Sequence, residues 1–390
     1  MTAFTPGAFG APSPVAFDDL LDCIHASNFD RPTLVVSRAR VAEQYDALAA
    51  GLGRARIHYA VKANPAPQII RTLVEKGSRF DAASRGEIEL CLSQGAKGCD
   101  ISFGNTVKRP SDIAFAHAAG VTLFAADSEA EVDKIAANAP GAQVYLRVIV
   151  ENSNADWPLS RKFGCAHTAL PELLNYARDA GVNVVGLSFH VGSQTRQAAF
   201  WTPVLDAISR LWHAARAAGH DLSVLNLGGG FPAQYDTAVE GATSYAAAVM
   251  RAVSERFGDV PYIMAEPGRG LVAEAGHIAA EVMLVSRKSA DDLHRWVFLD
   301  IGMFSGLAET MGEAVRYAIT TLRDGEEAGP CVLAGPSCDS ADILYEHRPV
   351  MLPLSLTHGD KVIIRNCGAY TSSYSSVGFN GFPPLAVVVI

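Results

Sequence analysis

Between residues 57 and 266 one pattern recurs eight times: a short apolar run, a turn carrying Gly or a polar residue, then an amphipathic stretch. The apolar runs are Ile57–Val61, Arg79–Ala82, Asp100–Phe103, Val121–Ala125, Val144–Ile149, Val184–Phe189, Val224–Leu227 and Tyr262–Ala265. Helical patterns lie between them at Pro67–Lys76, Arg85–Gln94, Ser111–Ala119, Ala130–Ala137, Pro171–Ala180, Phe200–Ala218 and Ser244–Phe257. Several open after Ser, Pro or Asp and close at Gly, as helix caps require. Eight such units over about 210 residues predict an α/β fold with a (β/α)8 TIM-type barrel. An open doubly wound sheet is the competitor, and it rarely uses eight such even units.

After Gly270 the texture changes. β-rich runs appear at His277–Ser286, Trp296–Ile301, Arg316–Ile319, Cys331–Leu333, Lys361–Arg365 and Leu385–Ile390, separated by turns rich in Gly, Pro and Asp. They predict an antiparallel β domain, a small β-barrel, following the first barrel. Thr33–Ser37 is also strand-like and could pair with it. The expected organisation is residues 1–32 as an N-terminal arm and the start of the β domain, 33–275 as the barrel and 276–390 as the C-terminal β domain. The first 15 residues, rich in Gly, Pro, Ala and Thr, read as a loose arm.

Composition narrows the function. Of 390 residues, 49% are apolar and 19% charged, which supports a large core and excludes overall disorder. The net charge of −9 leaves no basic footprint for nucleic acid. No window approaches the ~20 apolar residues of a membrane span, and the N-terminus lacks the basic start of a signal peptide. The seven cysteines form no CxxC pair, which argues against a disulfide framework or a structural metal site. Reduced thiols and a cytoplasmic location are expected.

Barrel active sites collect at the C-terminal strand ends, so the residues there are the candidates. The first run ends Tyr59-Ala60-Val61-Lys62-Ala63-Asn64. A lysine closing a buried strand either snorkels to the rim or serves as a Schiff-base amine. The second ends Phe80-Asp81-Ala82-Ala83-Ser84 with Glu87 beyond, acids that are equally at home as helix caps. The fifth carries Arg147, and the sixth ends Phe189-His190-Val191-Gly192-Ser193. The seventh ends in Gly228-Gly229-Gly230-Phe231-Pro232 and the eighth in Glu266-Pro267-Gly268-Arg269. Glycines whose backbone N–H groups can face an anion, on the last two strands, predict a phosphate cradle. A lysine, a phosphate cradle and an acid to pair a pyridine nitrogen together describe pyridoxal phosphate.

These motifs, in this order, resemble the alanine-racemase-like pyridoxal-phosphate enzymes of fold type III, and within them the ornithine/lysine decarboxylase group. Gly335-Pro336-Ser337-Cys338-Asp339 and Gly368-Ala369-Tyr370-Thr371 in the β domain extend the likeness to residues 20–390. The resemblance implies that Lys62 holds the cofactor, Glu266 keeps its pyridine nitrogen protonated and His190 stacks on its ring. It assigns the phosphate to Ser193, Gly229, Gly230, Gly268, Arg269 and Tyr370, with Asp81, Glu87 and Arg147 supporting ring and lysine. Cys338 and Asp339 would reach into a partner subunit, which implies a homodimer with shared sites. Cys338 would help protonate the substrate carbon. Residues 151–164 look like a mobile flap.

The resemblance also bears on the substrate. Asp339 stands where diaminopimelate decarboxylases carry Glu, and would pair with a distal ammonium. That favours L-ornithine, giving putrescine, or L-lysine, giving cadaverine, in polyamine biosynthesis. Where relatives have Tyr-Asp-His or Met-Asp-Glu, this chain has Met311-Gly312-Glu313. Glu309 and Glu313 are therefore the further candidates to read the distal amine. The missing acid also opens space for arginine or a modified basic amino acid, and diaminopimelate on the same fold is a further alternative. A racemase or a non-catalytic regulator of the same fold are the other readings. The latter is disfavoured because Lys62 and Cys338 are both present.

Overall fold

The computed structural model describes residues 19–150 and 162–390. The loose arm and most of the expected flap therefore lie outside the described residues. Helix α1 (Asp19–Ala26), strand β1 (Thr33–Val36) and helix α2 (Arg38–Leu52) come first. Eight strands follow, alternating with helices: β2 (Arg56–Ala60), α3 (Pro67–Glu75), β3 (Arg79–Ala82), α4 (Arg85–Ser93), β4 (Ile101–Phe103), α5 (Pro110–Ala118), β5 (Leu123–Ala126) and α6 (Glu129–Asn138). Then come β6 (Gln143–Arg147), α7 (Leu170–Asp179), β7 (Asn183–Ser188), α8 (Thr202–Ala217), β8 (Val224–Asn226), α9 (Ala242–Phe257), β9 (Tyr262–Ala265) and the one-turn α10 (Arg269–Val272). Strands β2 to β9 form a closed parallel barrel, sealed where Arg56 and Ile57 pair with Met264 and Ala265.

The expected barrel is what forms, each strand within a few residues of its apolar run. A parallel strand covered by a helix is buried on both faces, which is why the runs are nearly continuous. Ile57, Tyr59, Phe80, Phe103 and Phe124 are buried in the main core, which also contains Leu205, Ile208 and Trp212 of α8 and Val249 and Val253 of α9. Trp201 packs between Phe189 and Phe231, and its indole N–H donates to the Tyr245 hydroxyl at 2.8 Å. This aromatic cluster sits directly under the glycine-rich turn after β8.

The second layer contains β10 (Gly276–Ser286), β11 (Arg295–Leu299), β12 (Ile319–Thr321), β13 (Ala328–Ala334), β14 (Ile343–Leu344), β15 (Val350–Pro353), β16 (Lys361–Ile364) and β17 (Ala386–Val389). It is one nine-stranded sheet with β10 as its hub. β1 and β16 flank the first half of β10, and β11 takes its second half after a bulge between Val282 and Leu284. Two expectations are corrected. The sheet is mixed and not purely antiparallel, because β1–β17 and β11–β13 run parallel. Alternation along one strand carries no information about the direction of its neighbour. The boundary also moves: β1 pairs with β10 and β17, so Thr33–Val36 belong to the sheet and the barrel begins with α2.

Candidate active site

Lys62 sits on a single 3-10 turn, Val61–Ala63, that breaks β2 at the barrel rim. Its neighbours hold that turn. The Tyr59 hydroxyl donates to Asn64 O at 3.0 Å, and Asn64 Nδ2 donates to Gly368 O at 2.8 Å. Tyr370 N–H donates to Ala63 O at 2.8 Å. The turn is thus stapled to the β domain just after the lysine, through Ala63 and Asn64. Lys62 Nζ lies 4.0 Å from Asp81 Oδ2. Burial pulls its ammonium pKa down, but Asp81, Tyr370 and Glu266 outweigh it and the net direction is up. Burial in turn pushes the Asp81 carboxyl up. Asp81 Oδ1 is buried without a hydrogen-bond partner among the described residues. A buried lone oxygen at this depth is costly unless something polar meets it.

Glu87 stands one step behind. Its carboxylate accepts from Ala83 N–H at 2.6 Å while Ser84 caps α4 by accepting from Glu87 N–H at 3.3 Å. It holds the turn after β3 and does not line the cavity.

Glu266 follows β9. Its Oε1 accepts from Asn226 Nδ2 at 2.5 Å and from the Tyr145 hydroxyl at 3.4 Å. Burial, reinforced by the Asp81 carboxylate, raises its pKa from 4.5 to about 7. Between those values the folded chain holds a proton that the unfolded chain has lost. Stability from this group is therefore present at low pH and falls as pH rises towards 7. Glu266→Gln cannot ionise. In the cofactor-free protein its stability relative to wild type should rise between about pH 5 and pH 8, by on the order of 3 kcal/mol. Parallel melting curves across that range would show that Glu266 is not held protonated by burial.

The glycine turn after β8 is where the cradle is expected. A side chain at Gly229 would meet Glu266 O and His190 Nε2, each at 2.9 Å. Gly230 has φ +101° and would strike Gly192 O at 2.6 Å. Both must be glycine for the backbone to pass here. Ser193 and Gly268 lie beside them, and the Arg269 guanidinium reaches Ser193 Oγ at 3.0 and 3.2 Å. His190 Nδ1 accepts from Gly192 N–H at 2.9 Å. Burial and the nearby Arg147 and Lys62 hold its pKa well below the usual value, so the imidazole is neutral with its proton on Nε2. A neutral ring can lie on a cationic heterocycle without charge repulsion.

One cavity of about 600 Å³ gathers Lys62, Asp81, Arg147, His190, Ser193, Gly229, Gly230, Glu266, Gly268, Arg269 and Tyr370. Its volume suits a cofactor with its substrate. An amine, an unpartnered buried carboxylate oxygen, a raised-pKa acid and a glycine–arginine cradle fit a flat heterocycle bearing an aldehyde and a phosphate. Arg147 ends β6 and stacks on Phe163 at 5.3 Å.

Two expectations change. Glu309 lines the cavity, but its carboxylate is taken by Arg269, so it is not free to read a distal amine. Glu313 is turned away, accepting from His347 N–H at 2.6 Å and pairing with Arg348 and Arg316 at 3.1 Å. Those contacts hold its carboxyl low despite the opposing effect of burial. Cys338 and Asp339 are exposed on the β domain, outside the cavity of their own chain. Asn226, Tyr145 and Tyr235 were missed. Asn226 interrupts an apolar run just before the glycines, a readable signal; an aromatic inside such a run is not.

Comparison with known proteins agrees with this geometry. A family profile described as the pyridoxal binding domain of pyridoxal-dependent decarboxylases matches residues 38–273. A lysine/ornithine decarboxylase of Selenomonas ruminantium is 35% identical over 92% of this chain and 89% of its own length. The lysine/ornithine decarboxylase of Vibrio vulnificus, solved with cadaverine, superposes with a TM-score of 0.85 at 32% identity, covering 95% of this chain and 98% of that one. An arginine decarboxylase of Paramecium bursaria Chlorella virus, bound to agmatine, gives 0.86 at 29% identity, covering 95% and 99%.

Proposed function

The chain belongs to the pyridoxal-dependent decarboxylases, and on that premise we propose that it decarboxylates a basic amino acid, L-ornithine or L-lysine, to putrescine or cadaverine. The proposal includes a cytoplasmic homodimer that shares its active sites and serves polyamine biosynthesis. The carrying observation is the barrel-mouth cavity that Lys62, Asp81 and Glu266 line together with Gly229, Gly230 and Arg269. Among the described residues no helix is long and apolar enough to cross a membrane.

Pyridoxal 5'-phosphate, when bound, supplies the electron sink for the pair left at Cα as carbon dioxide departs. The chain's residues do the rest. Lys62 Nζ would hold the cofactor at its aldehyde and would yield that place to the substrate amine. Asp81 is the nearest carboxylate to that nitrogen and can exchange its proton. Glu266, held by Asn226 and Tyr145, would keep a proton at the pyridine nitrogen. His190, while neutral, would pack against the ring. Ser193, Gly229, Gly230, Gly268, Arg269 and Tyr370 would hold the phosphate. Net turnover consumes one proton, delivered to Cα; Cys338 of a second copy would supply it through its thiol. Asp339 beside it would face the distal ammonium.

A charge-assisted hydrogen bond at that ammonium is worth ~1.5–3 kcal/mol. Asp339→Asn should therefore lower kcat/KM for ornithine and lysine by about ten- to a hundredfold while leaving cofactor affinity unchanged. An unaltered kcat/KM would take Asp339 out of the site. Arginine is the second reading, favoured by the likeness to the arginine decarboxylase of Paramecium bursaria Chlorella virus, with a TM-score of 0.86. Carbon dioxide release from L- and D-ornithine, lysine, arginine and diaminopimelate tests the whole reading. Release from none of them, or racemised substrate without release, would refute it.

A further inference from the structure

The Arg269 guanidinium has two hydrogen-bonding edges, and they face different partners. Its end fork grips the Glu309 carboxylate, Nη1 to Oε2 at 2.7 Å and Nη2 to Oε1 at 2.6 Å. Its side edge, Nε and Nη2, meets Ser193 Oγ at 3.2 and 3.0 Å. Nη1 also donates to the Tyr235 hydroxyl at 2.8 Å. The two charged side chains are only 3% and 7% exposed. Glu309 rides on the 3-10 segment Ala308–Glu313 of the β-sheet layer, while Arg269 opens α10 at the barrel rim. The pair therefore fastens one layer to the other at the phosphate cradle.

Two opposite effects of this carboxylate can be weighed. Its charge offsets that of Arg269 and opposes a second anion. Its geometry does the reverse, because a planar fork gripped at one end cannot swing and its other edge stays aimed. The grip occupies the edge remote from Ser193, leaving the Nε–Nη2 edge directed into the cradle.

Resting on the reading that Arg269 binds the cofactor's phosphate, we infer that Glu309 is the positioning residue for that contact. It takes the end fork of Arg269 and so presents the side edge to a phosphate lying between Ser193 and Gly229–Gly230. The role assigned to Glu309 thereby moves from the substrate's far end to the cofactor's tail.

The test is binding without turnover. Pyridoxal phosphate and pyridoxal, which lacks the phosphate, are titrated into cofactor-free wild type, Glu309→Gln, Glu309→Asp and Arg269→Met, and followed by visible absorbance. Glu309→Gln should weaken pyridoxal phosphate by about tenfold or more and leave pyridoxal unchanged. Glu309→Asp keeps the charge but falls short of the fork, and should show the same selective loss if Gln impairs folding. Equal weakening of both ligands means a general structural role and overturns the inference. Tighter or unchanged pyridoxal phosphate binding overturns it as well. Arg269→Met separates the two levels: if it spares the preference for the phosphorylated ligand, the phosphate site itself is misplaced and the functional reading falls with it. A selective loss in Arg269→Met but not in the Glu309 variants removes only Glu309.

Discussion

Lys62→Ala should lower kcat by on the order of a thousandfold or more, because both the covalent hold on the cofactor and the amine that releases product are lost. The fold should survive. The 3-10 turn is held by backbone and by Tyr59, Asn64 and Tyr370, none of which uses the Lys62 side chain. The variant should still bind pyridoxal phosphate, weakly, through the cradle around Ser193, Gly229, Gly230 and Arg269. In the wild type, borohydride should trap the cofactor on the peptide containing Lys62 and on no other lysine. A label on Lys108, buried against Glu131 at 2.9 Å, or on any exposed lysine would remove Lys62 from the centre of the reaction.

Cys338→Ala should lower kcat by about a hundred- to ten-thousandfold, the usual span for losing a proton donor. The thiol is exposed in its own chain, with Cys338 N–H donating to Asn380 Oδ1 at 3.2 Å and Sγ 3.5 Å from the same oxygen. It is thus free to face another subunit's cavity. Neither Lys62→Ala nor Cys338→Ala homodimers should be fully active. Mixing them under conditions of subunit exchange should restore activity, since one site of each heterodimer regains both groups. Exchange without recovery would mean that the sites are not shared.

Much of the site was readable because a barrel is regular. Once eight strands are placed, their C-terminal ends must meet at one rim, so motifs scattered from Lys62 to Arg269 become neighbours without further information. The glycine triplet was readable because only glycine fits its backbone path. The acids were harder. Glu309 and Glu313 lie four residues apart and look alike in sequence, yet one faces Arg269 across the domain boundary and the other faces Arg348 and Arg316. Glu87, readable as a helix cap or as a support for ring and lysine, braces the turn after β3.

Local order was thus available from the chain alone. The period of the apolar residues set strand and helix, the breaks in that period placed the rim, and residue type there marked Lys62, the glycines and Glu266 as candidates. Tertiary structure alone decided pairing. Glu266 finds Tyr145 across 121 residues and Asn226 across 40, Arg269 finds Glu309, and β1 lies parallel to the distant β17. The physical reason is range. Periodicity and backbone preference act over a few residues, whereas the partner of a buried charge is whichever group the packing of remote segments brings within about 3 Å.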